Sequence, residues 1–399
     1  MKFIHTADWH LGQNFFDNSR IGEQKAFLCW LHEHIVMHNV SLLCIAGDVF
    51  DTQNPSAEAQ KIYYDFLINI SRECPQLQII IIAGNHDSAA RLEAPKAILA
   101  TMNVHVVGVI EHSANGSIDM SKLVIPLLGK GVCVAIPYVR QGDYNTSQSY
   151  SEGVSRLFAQ ACEYAHEHFP NEPIVAMGHL YASGAEISEN DSSERLMIGG
   201  IDAVSVNTFP KDIAYLALGH LHKAQRIGAE HIRYAGSPLP MSFAEINYKH
   251  GVNLVEIANN SVQVERLEFA PPAPLLLIPR TALPLSEVLA ELHALPDANE
   301  EISHETPYLF VQVLVNEPLP SLRTDIEQAI QGKHVRFVGL KKVEHTTKNI
   351  SNAPSYNQTK QMTPLQIAEF IYHNKYNKTI PNDLHELLQQ AINEVESGI

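Results

Sequence analysis

Hydrophobic residues along this chain fall into short continuous runs that stop abruptly at polar residues. The clearest is Leu77-Gln78-Ile79-Ile80-Ile81-Ile82, which leads into Ala83-Gly84-Asn85-His86-Asp87. An uninterrupted, β-branched run of this length predicts a strand covered on both faces. Four more runs end in the same way. Lys2 to Thr6 leads to Asp8 and His10, and Ser41 to Ala46 leads to Gly47-Asp48 and then Asp51. Pro173 to Met177 leads to Gly178-His179, and Ile213 to Leu218 leads to Gly219-His220-Leu221-His222. One such ending is ordinary turn chemistry. Five in one chain argue against that reading, because each sets an Asp, Asn or His at the carboxyl end of a strand. In open α/β sheets that is where ligands bind.

Between these runs, apolar residues return at helical spacing. Ala26, Phe27, Trp30, Leu31 and Ile35 predict a helix from Ile21 to His38, and Ile62, Phe66 and Ile70 a second from Pro55-Ser56 to Ser71. A third is expected from Arg91 to Met102 before a strand at Val104 to Val109, and a fourth from Glu152 to His168 after a strand at Gly131 to Tyr138. Past His220 the pattern turns β-rich, with short runs expected to be partly antiparallel. The fold class expected is α/β (α+β), a two-sheet β-sandwich flanked by helices. Pro271-Pro272-Ala273-Pro274 reads as a stiff linker that separates residues 1–270 from a small β-α-β-α-β unit over 275–343. Residues 344–362, rich in Thr, Asn, Ser and Gln, read as a flexible tether. Residues 363–399 hold two helical stretches with apolar stripes (Leu365, Ile367, Ala368, Phe370, Ile371; Leu384, Leu387, Leu388, Ala391, Ile392, Val395). These form either core or a hairpin that docks on a partner helix.

Composition narrows the picture. The 399 residues are 45% hydrophobic and 18% charged, an ordinary globular balance with room for two or three domains. No run is long and apolar enough to span a bilayer, and the N-terminus enters a strand without the features of a signal peptide. The five cysteines show no paired spacing, and Cys44 and Cys133 sit inside apolar runs, so free thiols in a reducing cytoplasm are expected. A formal net charge of −16 argues against a simple basic nucleic-acid clamp. It does not exclude a phosphate substrate, because metals held by carboxylates reverse the local charge.

Seven residues are candidate metal ligands: Asp8, His10, Asp48, Asn85, His179, His220 and His222. Seven exceed what one ion with an open position takes, and suit two ions sharing Asp48. Two-metal sites hold ions roughly 3.5–4 Å apart and clamp the attacking and leaving oxygens of an in-line displacement. His86, beside Asn85, is placed to touch the phosphate or protonate the leaving oxygen. Asp87 either orients His86 or caps the turn, and Asp51 is read as supporting the ligands from behind. Elsewhere plainer readings win. His32, His34, His38, His166 and His168 are helix histidines, His5 a buried partner and Trp9 a packing residue. Gly236-Ser237-Pro238 is a turn that also suits a place behind the ligands. Arg20, Arg91, Arg140 and Lys130 are candidate phosphate contacts for which plain surface roles are the better expectation. Phe15 and Phe16 meet a partner or fold back.

Asp8-x-His10, Gly47-Asp48-x-x-Asp51, Gly84-Asn85-His86-Asp87, Gly178-His179 and Gly219-His220-x-His222 match, in order and content, the calcineurin-like metallophosphoesterase pattern. The longer strings His5-Thr6-Ala7-Asp8-Trp9-His10-Leu11-Gly12, Ala46-Gly47-Asp48-Val49-Phe50-Asp51-Thr52 and Tyr234-Ala235-Gly236-Ser237-Pro238-Leu239 resemble the bacterial SbcD family of double-strand-break repair nucleases. The likeness is specific from Met1 to about Phe269 and one of order and length beyond. It implies two Mn²⁺ ions, with Mg²⁺ or another divalent ion as substitutes. One ion would take Asp8, His10, Asp48 and His222, the other Asp48, Asn85, His179 and His220, with His86 as the catalytic histidine. It further implies 3′→5′ exonuclease action on double-stranded DNA and endonuclease action on single strands and hairpin DNA. A homodimer within a heterotetramer with an SbcC-type coiled-coil ATPase follows from it, acting in repair, replication and recombination. The β-α-β-α-β unit would cap DNA and the terminal hairpin would grip the ATPase. Some archaeal relatives carry His where Asp51 stands, so no role transfers to that position. The alternatives are a metallophosphoesterase for nucleotides or phosphoproteins, and a non-catalytic scaffold of the ATPase.

Overall fold

The structure, a computed structural model, describes residues 1–140, 142–144, 148–186, 203–258, 261–298, 301–315, 319–343, 363–376, 378–381, 384–385, 387–389 and 392. It divides into two compact units, Met1–Val343 and Glu344–Ile399.

In the first unit the five apolar runs are strands of two six-stranded sheets. One sheet runs in the order Ser261–Glu268, Gly251–Ala258, Lys2–Thr6, Leu42–Ala46, Gln78–Ile82 and Val104–Val107, and its last four strands are parallel. The other runs in the order Gln225–Arg226, Ile232–Tyr234, Ile213–Gly219, Ile174–His179, Val132–Ala135 and Val124–Pro126, with its central strands parallel. Successive side chains of a strand point to opposite faces, so each continuous run fills two cores. Phe3, Leu42, Cys44, Ala46, Ile80 and Ile82 meet Val134, Ala176, Leu216 and Leu218 between the sheets. Their neighbours Ile4, Leu43, Ile45, Ile79 and Ile81 face the helices Ile21–Met37 and Ala57–Glu73, against Phe27, Leu31, Phe66 and Ile70. On the far side, Tyr150–His168 buries Val154, Leu157, Phe158 and Ala161. Its start is fixed by a capping box between Ser149 and Glu152.

The expected helix from Arg91 to Met102 is broken into Ala89–Glu93, Lys96–Leu99 and a one-turn 3₁₀ segment. Pro95 is the cause, since it lacks an N–H and disfavours helix in the residue before it. The antiparallel character expected after His220 is confined to Gln225–Arg226 and the Gly251–Glu268 hairpin; Ile232–Tyr234 joins its sheet in parallel. The polar segment from Ser183 to Arg195 lies outside the described residues from 187 onward.

The strands Leu275–Pro284, Tyr308–Leu314 and Arg336–Val343 form a parallel sheet in chain order, with the helices Leu285–His293 and Leu322–Ala329 between them. Val288, Leu292, Leu309, Val311, Val313 and Ile326 make its core. Around the prolines at 271–274, Ala273 is buried with Phe15 and Tyr308, so the stretch is packed rather than a free spacer. Phe15 folds back here at 2% exposure, while Phe16 remains 45% exposed. Arg20 is fully buried, which overturns a surface role for it. Its guanidinium pairs with Glu23 at 2.8 Å, and Glu23 also accepts from the Tyr308 hydroxyl at 2.8 Å.

The expected tether, 344–362, lies outside the described residues. In the second unit the helix Pro364–Tyr376 begins at a reciprocal cap, Thr363 N–H to Gln366 Oε1 at 2.9 Å and Gln366 N–H to Thr363 Oγ1 at 3.3 Å. Glu369 on this helix pairs with His385 at 3.3 Å.

Candidate metal centre

Because the strands carrying the five turns are parallel within their sheets, their carboxyl ends meet along one edge of the sandwich. Backbone hydrogen bonds lace the turns together: Asp8 N–H to Gly47 O at 3.0 Å, His10 N–H to Asp48 O at 3.0 Å and Leu11 N–H to Val49 O at 2.9 Å. The approach is close enough to exclude side chains at the turn glycines. Gly47 sits at φ +91°, and a Cβ there would overlap the His179 ring; one on Gly84 would overlap Asp48.

All seven candidate ligands come together. Asp8, Asp48 and His179 offer donor atoms within 4.8 Å of one another, as do His10, Asp48 and His86, so Asp48 belongs to both groups. Asn85 Oδ1 lies 2.9 Å from His179 Nε2 and 3.0 Å from His220 Nδ1. Asp48 Oδ2 is 3.3 Å from His179 Nε2 and 3.8 Å from His10 Nε2. The His10 and His222 rings stand edge to face at 5.3 Å. Asp8, His10, Asp48, His179 and His222 are all buried.

This donor set fits cations. Asp8 Oδ2 and both ring nitrogens of His10 are buried without a hydrogen-bond partner, and leaving such atoms unpaired costs about 1–3 kcal/mol each. His10 Nδ1 lies 3.3 Å from Asp51 Oδ1, but not in hydrogen-bond geometry. Burial pushes the Asp8 carboxyl up, against the pull of His179 and His222. Burial opposes ionisation of Asp48 too, yet His179, His10 and His86 outweigh it and hold Asp48 well below the carboxylate range. His179 shows the converse, as Asp48 and Asp8 overcome its burial and raise it to about 9. His220 is pushed down to about 3 by burial and by the charge of His179. Carboxylates and imidazoles that compete for one proton at this spacing suit a divalent ion of mixed N and O preference.

The supporting residues divide differently from expectation. Asp87 does not reach His86. Its buried carboxylate accepts from Gly84 N–H at 2.9 Å, Phe50 N–H at 2.9 Å and Val49 N–H at 3.2 Å, tying two ligand turns together. The carbonyl of Asp51, not Asp87, holds His86 Nδ1 at 2.9 Å, and its carboxylate faces His10. Gln24 donates to His10 O at 2.9 Å and accepts from Gly12 N–H at 3.0 Å. His5 is a buried partner of Tyr215 and the Leu218 carbonyl, and Trp9 packs against Phe27 and Phe66. Ser237 N–H donates to His222 O at 3.1 Å. Glu245, unforeseen from the sequence, is fully buried 3.1 Å from His222 Nδ1. No local pattern marks it. Of the candidate phosphate contacts, Arg140 stacks over the Tyr138 ring at 5.7 Å, and that ring lies 6.1 Å from His179. Arg91 and Lys130 are exposed, and Arg91 bonds Asn54.

Similarity to known proteins agrees with this geometry. Residues 1–224 match the Calcineurin-like phosphoesterase family, and residues 271–376 match the family described as Type 5 capsule protein repressor C-terminal domain. SbcD, the smaller-lettered half of the nuclease SbcCD, is 34% identical in its Rhodobacter capsulatus form over 377 residues, covering 90% of this chain and 92% of that protein. SbcD of Escherichia coli K12 is 34% identical over 346 residues, covering 82% and 81%. This chain belongs to the SbcD family of calcineurin-like phosphoesterases. Like the family, it is a divalent-metal-dependent phosphoesterase. Among solved structures, a dimetal phosphatase from Danio rerio aligns with 67% of this chain and 95% of its own, at 11% identity and a TM-score of 0.42.

Proposed function

We propose that this chain is the nuclease subunit of an SbcCD-type complex and hydrolyses DNA phosphodiester bonds with two divalent ions, Mn²⁺ as the preferred species. The observation that carries the reading is the sharing of Asp48 between two groups of buried donors. Asp8, His10, Asp48 and His222 would hold one ion, and Asp48, Asn85, His179 and His220 the other. When bound, such ions activate a water and offset charge on the attacking and leaving oxygens. The protein's own groups do the rest. Asp48 is fixed by His86 N–H at 2.8 Å, and Asp8 by His220 N–H at 2.9 Å, so both carboxylates are oriented before substrate arrives. The Asp51 carbonyl occupies His86 Nδ1, which makes Nε2 the atom offered to the phosphate. In its protonated form His86 donates from Nε2 to the leaving oxygen.

Double-stranded DNA ends and hairpin DNA are the proposed substrates, with 3′→5′ exonuclease and single-strand endonuclease action. The relatives are named as subunits of SbcCD, which supports a coiled-coil SbcC-type ATPase partner and a homodimer within a heterotetramer in the cytoplasm. In this reading residues 1–270 form the nuclease domain and 275–343 cap DNA. Residues 344–362 are a tether, and the 363–399 hairpin grips the ATPase. None of the helices among the described residues is long and apolar enough to cross a membrane. The test is cleavage of end-labelled blunt duplex and hairpin DNA with added Mn²⁺. His86→Gln is expected to lower the rate about 10²–10⁴-fold while Mn²⁺ binding persists. Cleavage of small phosphodiesters alone, or an unchanged rate in His86→Gln, would reject the reading.

A further inference from the structure

Much of the buried polar chemistry between Ser237 and His250 is spent on His222. Ser237 N–H donates to its carbonyl, and Glu245 Oε1 meets its Nδ1 at 3.1 Å. Glu245 is itself locked in place. Its second oxygen accepts from Met241 N–H at 2.9 Å, and it rides on a one-turn helix, Phe243–Glu245, started by the Ser242 side chain. Its carbonyl receives His250 Nε2 at 3.3 Å, and His250 Nδ1 is 3.0 Å from Ser237 O. Pro240 O accepts from buried Arg20, so the segment is also held from the helix side. A fully buried carboxylate with both oxygens engaged costs several kcal/mol of desolvation unless its bonds are well formed. A chain seeking only packing would place an apolar residue there. What the carboxylate adds is a fixed acceptor for one imidazole N–H.

From this we infer that Glu245 is a positioning residue for the metal centre. It fixes His222 as the Nδ1–H tautomer, sets the ring plane and raises the basicity of Nε2, the nitrogen presented to the cation. The inference rests on the two-metal reading of the site. His179 has the same arrangement by a different route, its Nδ1 lying 2.9 Å from Ala46 O. The two ions are thereby backed unequally, one by a carboxylate and the other by a neutral carbonyl. Partners of this kind typically change metal affinity by about 10–100-fold when removed.

The full-length chain, titrated with Mn²⁺ and followed by the EPR signal of the free ion, tests this. The wild type is expected to take up two ions. Glu245→Gln, which keeps the shape and an acceptor for Met241 N–H, should weaken one ion about 10–100-fold, spare the other and leave the unfolding midpoint unchanged. His222→Ala should weaken the same ion, and adding Glu245→Gln to it should weaken it no further. As a check independent of variants at 245, ¹⁵N NMR of histidines in the Mg²⁺ form should show His222 protonated at Nδ1. Two ions bound normally by Glu245→Gln, additive effects in the double variant, or an Nε2–H tautomer would each overturn the inference alone. A wild-type chain that binds fewer than two ions would overturn it together with the two-metal reading.

Discussion

Asp8, His10, Asp48 and His220 all hold positive φ, at 54°, 45°, 49° and 104°. Non-glycine residues pay about 1–3 kcal/mol each for such backbone, and it persists where surrounding structure over-determines it. Here the surroundings are the neighbouring turns, whose hydrogen bonds fix each backbone before any ligand is bound. His5 illustrates a buried histidine of another kind. Burial depresses it to about 3, against the Leu218 carbonyl hydrogen bond. With the folded value below the ordinary 6.5, the unfolded chain takes up the proton first. Its stabilising contribution is therefore complete above 6.5 and is lost as pH falls from there toward 3. Between pH 7.5 and 5.5 the wild type should lose about 1.4 kcal/mol more than His5→Asn loses. Urea unfolding of both at the two pH values checks this; parallel losses would show that His5 does not titrate on unfolding.

Elements are joined by a few buried charges, and magnitudes separate these from ornamental ones. Lys61 and Asp65 on the second helix pair at 2.6 Å but are 71% and 52% exposed, so Lys61→Ala should change stability by less than about 0.5 kcal/mol. Glu23, at the start of the first helix, serves Arg20 and Tyr308 with both partners buried. Glu23→Ala strands the Arg20 guanidinium and should cost about 3–5 kcal/mol, measured as a shift in denaturant midpoint at unchanged slope. The contrast shows what was legible in the sequence. The strand, glycine and ligand order is local, so all seven candidate ligands could be picked out before the fold was known. Asp48 could be singled out because it follows a glycine at a strand end. Arg20 looked like surface because its burial depends on Tyr308, and nothing in the local sequence reports a contact 285 residues away. Glu245 was missed for the same reason. It lies 23 residues beyond His222 on a single helical turn, too short to show a period. Pro95 was visible, yet its power to break a helix was outweighed by the apolar residues around it.

At the scale of the molecule, the two compact units differ in what their interiors are for. Met1–Val343 contains both six-stranded sheets, the small parallel sheet and every candidate ligand, with the three-stranded part joined to the rest through Phe15, Ala273 and Tyr308. A unit with its own cores should fold without the remainder. Glu344–Ile399 carries the helix Pro364–Tyr376, on which Leu365, Ile367, Ala368 and Phe370 are all partly exposed. A short helix with an apolar stripe is marginal by itself and gains most when a partner covers that stripe. Ending the chain at Val343 should therefore leave the unfolding midpoint, Mn²⁺ uptake and blunt-duplex cleavage of the isolated chain as they are, while association with the coiled-coil ATPase is lost. Size-exclusion chromatography of the truncated chain mixed with that ATPase, alongside the cleavage assay, reads both halves of the prediction. Lost cleavage by the truncated chain alone would mean that the second unit supports the metal centre. Retained association would move the ATPase contact onto the first unit.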